Sequence, residues 1–301
     1  MKDAVDKFAP FLKAFATGPK GNRDLTFEEA KEATSMILNQ ELPKELVGAF
    51  LMTWRVKEES IDEISAALEA LKERALPLDP LPNSIEIAMP MEGKKKNIPL
   101  LILVADYLKD TQFVITSSPK MKDKAPLSML NLVEYFPKNI HLVSRDNYLP
   151  QLEALHELRD NLRLRTVFNT LEKLHHPLQS KYAVIGAHHG PYFKKYEQIF
   201  SSQYQRMSIV QGDEGCGEII KKSKIHIIEK GKKVEELLID PKEFDIHFEK
   251  PTERLSLDQA KKDILNPSRS ILDLARLNAA IYCYTIDPAS SIEAYFLNLQ
   301  R

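Results

Sequence analysis

The chain predicts an α/β architecture: a small N-terminal all-helical domain followed by a large α/β domain with a mostly parallel central sheet. Three features of its 301 residues lead there. The first 76 residues hold several helix-start signals and no convincing strand, three prolines then fall within six positions, and beyond them short β-type runs alternate with helical ones. Alternation of this kind carries parallel strands through crossover helices that cover the sheet.

In the N-terminal part, Thr26-Phe27-Glu28-Glu29 and Ser60-Ile61-Asp62-Glu63 are capping boxes, in which a hydroxyl and a glutamate three residues on satisfy each other's backbone N–H groups. Between them Val47, Phe50, Leu51 and Trp54 recur at steps of three and four and give one helix face to apolar packing. The same stripe could serve contacts between two copies of the chain. Pro77, Pro80 and Pro82 each fix φ and remove a backbone donor, so neither helix nor inner strand continues there. The expected division is 1–76 helical, 77–82 linker and 83–301 α/β.

Strands are expected at 85–88, 112–116, 140–143, 182–186 and 207–211, with helical patterns at 99–108, 127–135, 152–158 and 166–174 filling the gaps. Residues 225–228 and 234–239 read as an antiparallel ribbon turning at Gly231. Helices return at 257–265, 271–284 and 290–299.

With 43% apolar and 28% charged residues the composition excludes a disordered chain. Cys216 and Cys283 are too few for a disulfide framework or a zinc ribbon and fit a reduced, cytoplasmic protein. The longest apolar run, 98–105, is too short to span a bilayer, so no membrane partner is expected. The net charge of -1 conceals an asymmetry: residues 1–80 carry eleven basic and fifteen acidic side chains, whereas 91–224 carry twenty basic and fourteen acidic. Partners respond to local potential, so the middle of the chain is where an anion is expected.

Four segments could carry chemistry. Lys94, Lys95, Lys96 and Asn97 follow the first strand and precede a helix, where phosphate is commonly received. With a single glycine the loop is not expected to wrap an anion through its backbone, which leaves the attraction to the lysine side chains; a solvated loop is the alternative. Thr116 to Lys124 places hydroxyls beside Lys120, Lys122 and Lys124, and reads either as a phosphate grip or as a polar loop. In LRDNLRLRTVFNTLEKLHHP, Arg159 and Arg163 share a helix face and Arg165 follows; they suit a phosphate or carboxylate, or pairing with Glu157, Asp160 and Glu172. In VQGDEGCGE, Asp213, Glu214 and Glu218 could offer oxygen ligands to Mg²⁺. The same acidic neighbours raise the Cys216 thiol and argue against a nucleophile. His175-His176 and His188-His189 are adjacent pairs, a spacing that does not put two imidazoles on one helical face for a metal.

The order LTFEEAKEATSMILNQ, LVGAFLMTWRVKEESIDEISAALEAL, LRLRTVFNTLEKLHHP, YAVIGAHHGPY, MSIVQGDEGCGE and RLNAA resembles the anthranilate phosphoribosyltransferase family, grouped with the nucleoside phosphorylases. The resemblance covers most of the chain and implies the helical-plus-α/β fold. The catalytic signatures depart from it. The family's glycine-rich GTGGD loop for the pyrophosphate of phosphoribosyl pyrophosphate corresponds to MPMEGKKKN, its Asn-x-Ser-Thr motif begins near Asn97 with no hydroxyl after it, and SSPKMKDK replaces Lys-His-Gly-Asn. Its magnesium-holding Asp-Glu pair appears as Gly217-Glu218, and Arg159 stands where the family meets the anthranilate carboxylate.

This pattern is similar to the paralogous branch outside tryptophan biosynthesis, whose members bind nucleic acid as homodimers. The resemblance therefore implies a homodimer that meets nucleic acid, single-stranded or without sequence preference, through Lys94, Lys95, Lys96, Lys120, Lys122, Lys124, Arg159, Arg163, Lys221 and Lys222. The alternative is a phosphoribosyl transferase acting on another acceptor, with Glu218 and Asp213 keeping Mg²⁺ and Arg159 orienting the acceptor.

Overall fold

The computed structural model describes residues 2–18, 20–90, 93–121 and 126–299. It divides into two compact units, one of residues 1–78 with 145–175 and the other of 79–144 with 176–301. The chain opens with α1 (Lys2–Ala16), α2 (Phe27–Leu38), α3 (Lys44–Lys57) and α4 (Ile61–Lys72). Next come β1 (Ser84–Ile87), α5 (Leu101–Tyr107), β2 (Gln112–Ser117) and β3 (Ile140–Ser144). Four short helices follow: α6 (Arg145–Tyr148), α7 (Pro150–Ala154), α8 (His156–Leu162) and α9 (Phe168–Leu171). The rest is β4 (Tyr182–Gly186), α10 (Gly190–Phe200), β5 (Arg206–Val210), β6 (Ser223–Glu229), β7 (Lys232–Ile239), α11 (Leu257–Leu265), α12 (Arg269–Ile286) and α13 (Ile292–Asn298).

In the helical unit both capping boxes form, at Thr26 with Glu29 and at Ser60 with Glu63. Val47, Phe50, Leu51 and Trp54 are all buried, and Phe50 stacks edge-on to Phe8 and packs on Trp54 at centroid distances of 4.9 and 5.3 Å. The stripe therefore lies inside this unit's own core, and the expectation that it could face a second copy is corrected. Residues 145–175 also differ from the sequence division, which put them in the α/β domain. They return to the helical unit, α8 packing on α3 and α9 on α4, and Leu158, Phe168 and Leu171 are buried there.

Glu63 organises the centre of this unit. Its fully buried carboxylate accepts from Leu25 N (2.8 Å), Trp54 Nε1 (3.0 Å), Lys57 Nζ (3.0 Å) and Ser60 N (2.9 Å), so the charge is paired and both oxygens accept.

The α/β unit holds a seven-stranded sheet in the order β3-β2-β1-β4-β5-β6-β7. The first five of these strands are parallel; β6 and β7 are antiparallel additions at one edge. The turn between β6 and β7 is Lys230-Gly231, both at positive φ (47° and 82°), as a two-residue hairpin turn of type I′ requires. Strand order reverses between β1 and β4, and the crevice beyond the carboxyl ends of the strands at such a switch is where α/β sheets place ligands. Where the sequence suggested a helix over 127–135, the chain forms only a 3-10 segment, Met129–Tyr135, because Leu127 is held extended in an isolated bridge to Lys94.

Removing the Glu63 carboxylate would leave the Trp54 indole and two backbone N–H groups without this acceptor in the core, and the Lys57 ammonium with Asp24 alone. Glu63→Ala is expected to cost about 3–5 kcal/mol, read as a lower urea midpoint of the helical unit followed by Trp54 fluorescence.

Candidate functional site

The loops after β1 and β5 meet at the carboxyl ends of the strands. Their approach depends on glycine at two points. Gly93 sits at φ +67°, where a Cβ would lie 2.3 Å from the Leu127 carbonyl oxygen, and a Cβ on Gly212 would lie 1.9 Å from that of Cys216. Without side chains at these positions the β1 loop can turn inward and the β5 loop can fold back on itself. Asn278 on α12 holds the far end of the second loop, accepting from Ile219 N (2.8 Å) and donating to Ile219 O (2.9 Å). This gives the Arg276–Ala280 segment, RLNAA, a specific task in the site.

Lys94 is turned inward, only 1% exposed. Its Nζ donates to Glu218 Oε2 at 2.7 Å and lies 3.4 Å from Asp213 Oδ2. Burial opposes the charged ammonium, and the acidic groups of Cys216, Glu218 and Asp213 outweigh it, so the pKa of Lys94 is raised. Asp213 is fixed further by Asn97 Nδ2 (2.8 Å) and by Lys250 Nζ; burial opposes its charge, but Lys94 and these donors hold its pKa below the usual value. Glu218 Oε1 accepts from Leu101 N (3.0 Å) at the start of α5. Lys94 is thus committed to two carboxylates, which corrects its assignment as a phosphate contact.

A second correction concerns the backbone. Three successive N–H groups, of Lys95, Lys96 and Asn97, converge on the Glu214 carboxylate at 2.7, 3.1 and 3.2 Å. The loop does wrap an anion through its main chain, with one glycine, and the anion is the chain's own. Glu214 adopts left-handed φ/ψ (48°, 25°) to aim its side chain there.

The other expected residues fall in different surroundings. Lys95, Lys221 and Lys222 are exposed, Lys96 is half-buried, and Lys120 is exposed in a 3-10 turn after β2. Lys122 and Lys124 lie outside the described residues. Arg163 and Arg165 are exposed in the helical unit, Arg163 at the left-handed C-cap of α8. Arg159, in the same unit, pairs with the buried Glu172 and lies over the Phe168 ring at 5.6 Å, a structural ion pair of the kind the sequence left open. Cys216 is buried and donates to Asp213 O (2.9 Å); burial and the Glu218 charge push its thiol up, as its acidic neighbours implied. Sequence reasoning missed two residues: Lys250, which reaches Asp213 from 37 positions away, and Glu214 as an occupant of the first loop. The signal available was charge complementarity between KKK and DEGCGE, two loops that each follow a strand.

Among the described residues, no group of three or more His, Cys, Asp or Glu side chains is placed to hold a metal ion, and no helix is long and apolar enough to cross a membrane.

The buried cluster around Arg159 makes the helical unit sensitive to acid. Arg145 Nε meets Glu153 at 2.7 Å, its Nη1 meets Glu172 at 2.7 Å, and Tyr148 bonds His175 Nδ1 at 2.6 Å. Burial, reinforced by Arg145, pushes His175 down to about 3; burial opposes the Glu172 charge, but Arg159 and Arg145 hold that group at about 2. Both pKa values lie below those of the unfolded chain, 6.5 and 4.5, so the unfolded state binds more protons and stability falls as pH drops. Urea midpoints should decline from about pH 6.5 through the His175 contribution and more steeply below about pH 4.5 as Glu172 joins. His175→Gln should flatten the first part of that decline.

Family models match both parts of the chain: the helical bundle domain of the glycosyl transferase family over residues 9–75, and its a/b domain over residues 132–295. An uncharacterised protein of Aquifex aeolicus is 27% identical over 83% of this chain and 81% of its own. The anthranilate phosphoribosyltransferase of Caldicellulosiruptor saccharolyticus is 27% identical over 90% and 88%. The anthranilate phosphoribosyltransferase of Saccharomyces cerevisiae in complex with PRPP and Mg has the same fold, with a TM-score of 0.77 and 15% identity over 97% of this chain and 92% of that one. That of Thermus thermophilus gives 0.71 at 18% identity, over 98% and 92%. With its helical bundle and its mostly parallel sheet, the chain belongs to the glycosyl transferase family of helical-bundle and a/b domains.

Proposed function

We propose that this chain is a nucleic-acid-binding member of its family, working as a homodimer, in which the β1 and β5 loops no longer carry Mg²⁺-dependent phosphoribosyl transfer. The observation behind this reading is that both loops are filled from within. Glu214 takes the backbone donors of Lys95–Asn97, and Lys94 takes the carboxylates of Asp213 and Glu218. A diphosphate-bearing donor needs its charge neutralised and its leaving group held, and Lys94, the Asp213 and Glu218 carboxylates and the backbone donors of Lys95–Asn97 already have partners.

The exposed cations on the same two loops support the binding half of the reading. Lys95 follows β1, and Lys221 and Lys222 end the loop that begins after β5, all open to solvent. Lys221 and Lys222 can meet phosphates as mobile point charges, which gives affinity without base selection. Arg163 and Arg165 offer guanidinium groups on the helical unit.

A second reading, transfer from phosphoribosyl pyrophosphate to an unidentified acceptor, is favoured by the relatives of 24–27% identity that bear the name anthranilate phosphoribosyltransferase. It requires Glu214 and Lys94 to give up their partners when substrate arrives.

Oligonucleotide titrations at increasing salt decide the first reading. Binding is expected to weaken steeply with salt, and the triple variant Lys95→Ala, Lys221→Ala, Lys222→Ala should reduce the slope of log K against log salt by about 2 to 3, equally for unrelated sequences. Absence of binding, or binding indifferent to salt, would refute it. Calorimetry with phosphoribosyl pyrophosphate and Mg²⁺ decides the second: no heat is expected from the wild-type chain, and a saturable, Mg²⁺-dependent isotherm would restore the transferase reading.

A further inference from the structure

We propose that Lys94 is a tethered counter-cation, its ammonium standing at the point where the Asp213 and Glu218 carboxylates converge, so that the two loops close without a divalent metal ion. The role is independent of whatever the exposed lysines bind.

Charge and burial lead to this assignment. The side chains of Asp213 and Glu218 are almost wholly withdrawn from water, and two such carboxylates cannot stay charged side by side without a cation between them. The Lys94 side chain is itself fully enclosed and supplies that charge. Its direction is imposed by the backbone: the positive φ of Gly93 turns the loop, and the Lys94–Leu127 bridge holds the main chain while the side chain runs inward.

The surrounding donors leave a metal ion no vacancy. Glu218 Oε1 is taken by Leu101 N–H, and Oε2 by Lys94. Asp213 Oδ2 receives the Asn97 amide and Oδ1 the Lys250 ammonium. Mg²⁺ and Mn²⁺ require several oxygen ligands at short range, and here every carboxylate oxygen already accepts from a nitrogen donor. Magnesium therefore does not fit these residues while Lys94 is present. Truncating Lys94 changes the balance: two buried carboxylates lose their central cation, the space of its side chain opens, and a small hard cation becomes the group that best restores neutrality.

The test is thermal melting of the full chain with a chelator, with millimolar Mg²⁺ and with millimolar Mn²⁺. Wild-type melting should be the same in all three. Lys94→Ala should melt roughly 10 °C lower with chelator and regain about half of that loss with Mn²⁺. Lys94→Met, which keeps an unbranched chain in the space without its charge, should melt low and stay low with metal. A Lys94→Ala protein indifferent to divalent ions, a Lys94→Met protein as stable as wild type, or a wild-type protein stabilised by metal as strongly as Lys94→Ala would each overturn the proposal. If Lys94→Ala does not accumulate in folded form, refolding from urea makes the same decision: native protein recovered only with Mn²⁺ supports the tethered cation, whereas equal recovery with and without metal, or none in either, refutes it.

Discussion

An ammonium group enclosed by two carboxylates sets the terms for the loops at the carboxyl ends of the α/β unit's strands. Lys94, Asp213 and Glu218 come from loops 119 and 124 residues apart, and their attraction draws the segment after β1 against the segment after β5. The features around them follow from that closure: Gly93 and Gly212 where a Cβ would collide with backbone, Glu214 against three N–H groups, and Asn278 clamped to Ile219. A buried ion pair is a poor source of net stability because desolvation consumes most of the Coulombic gain. Its value lies in exclusivity, since any other loop arrangement leaves a charge buried without a partner.

The helical unit uses the same principle twice, once with the signs exchanged and once with the same signs. There a single carboxylate, Glu63, is satisfied by an ammonium, an indole and two backbone donors, and Arg145 is enclosed by Glu153 and Glu172. In each unit a few buried, paired charges fix how elements distant in sequence must meet, while apolar burial supplies the bulk of the driving force. Arg159 illustrates how such a network reassigns a residue. A guanidinium placed to meet a ligand carboxylate is given one by Glu172 and stacked on Phe168 instead.

Much of the fold was legible because its signals are local. Capping boxes, proline spacing and short β-type runs act within a few residues, so all seven strands and both boxed helix starts stand where the pattern put them. The site was less legible. Lys94 was assigned to an external anion, Glu214 was read as a metal ligand, and Lys250 was overlooked. Each error concerns the partner of a charge, and partners here lie 37 to 124 residues away. The sequence contains both halves of every pair without stating which halves meet.

The amino-acid order alone therefore determined the two-part architecture, the parallel sheet with its antiparallel edge, and the concentration of charge in the loops that follow the strands. Only the folded chain decided that residues 145–175 return to the helical unit and that Val47, Phe50, Leu51 and Trp54 are sealed in its core. It also decided that Lys94 and the carboxylates of Asp213, Glu214 and Glu218 find their partners within the chain. The physical reason is range: helix and strand preferences are settled over a few residues, whereas the state of a charge depends on the dielectric and the counter-charges that tertiary packing brings around it.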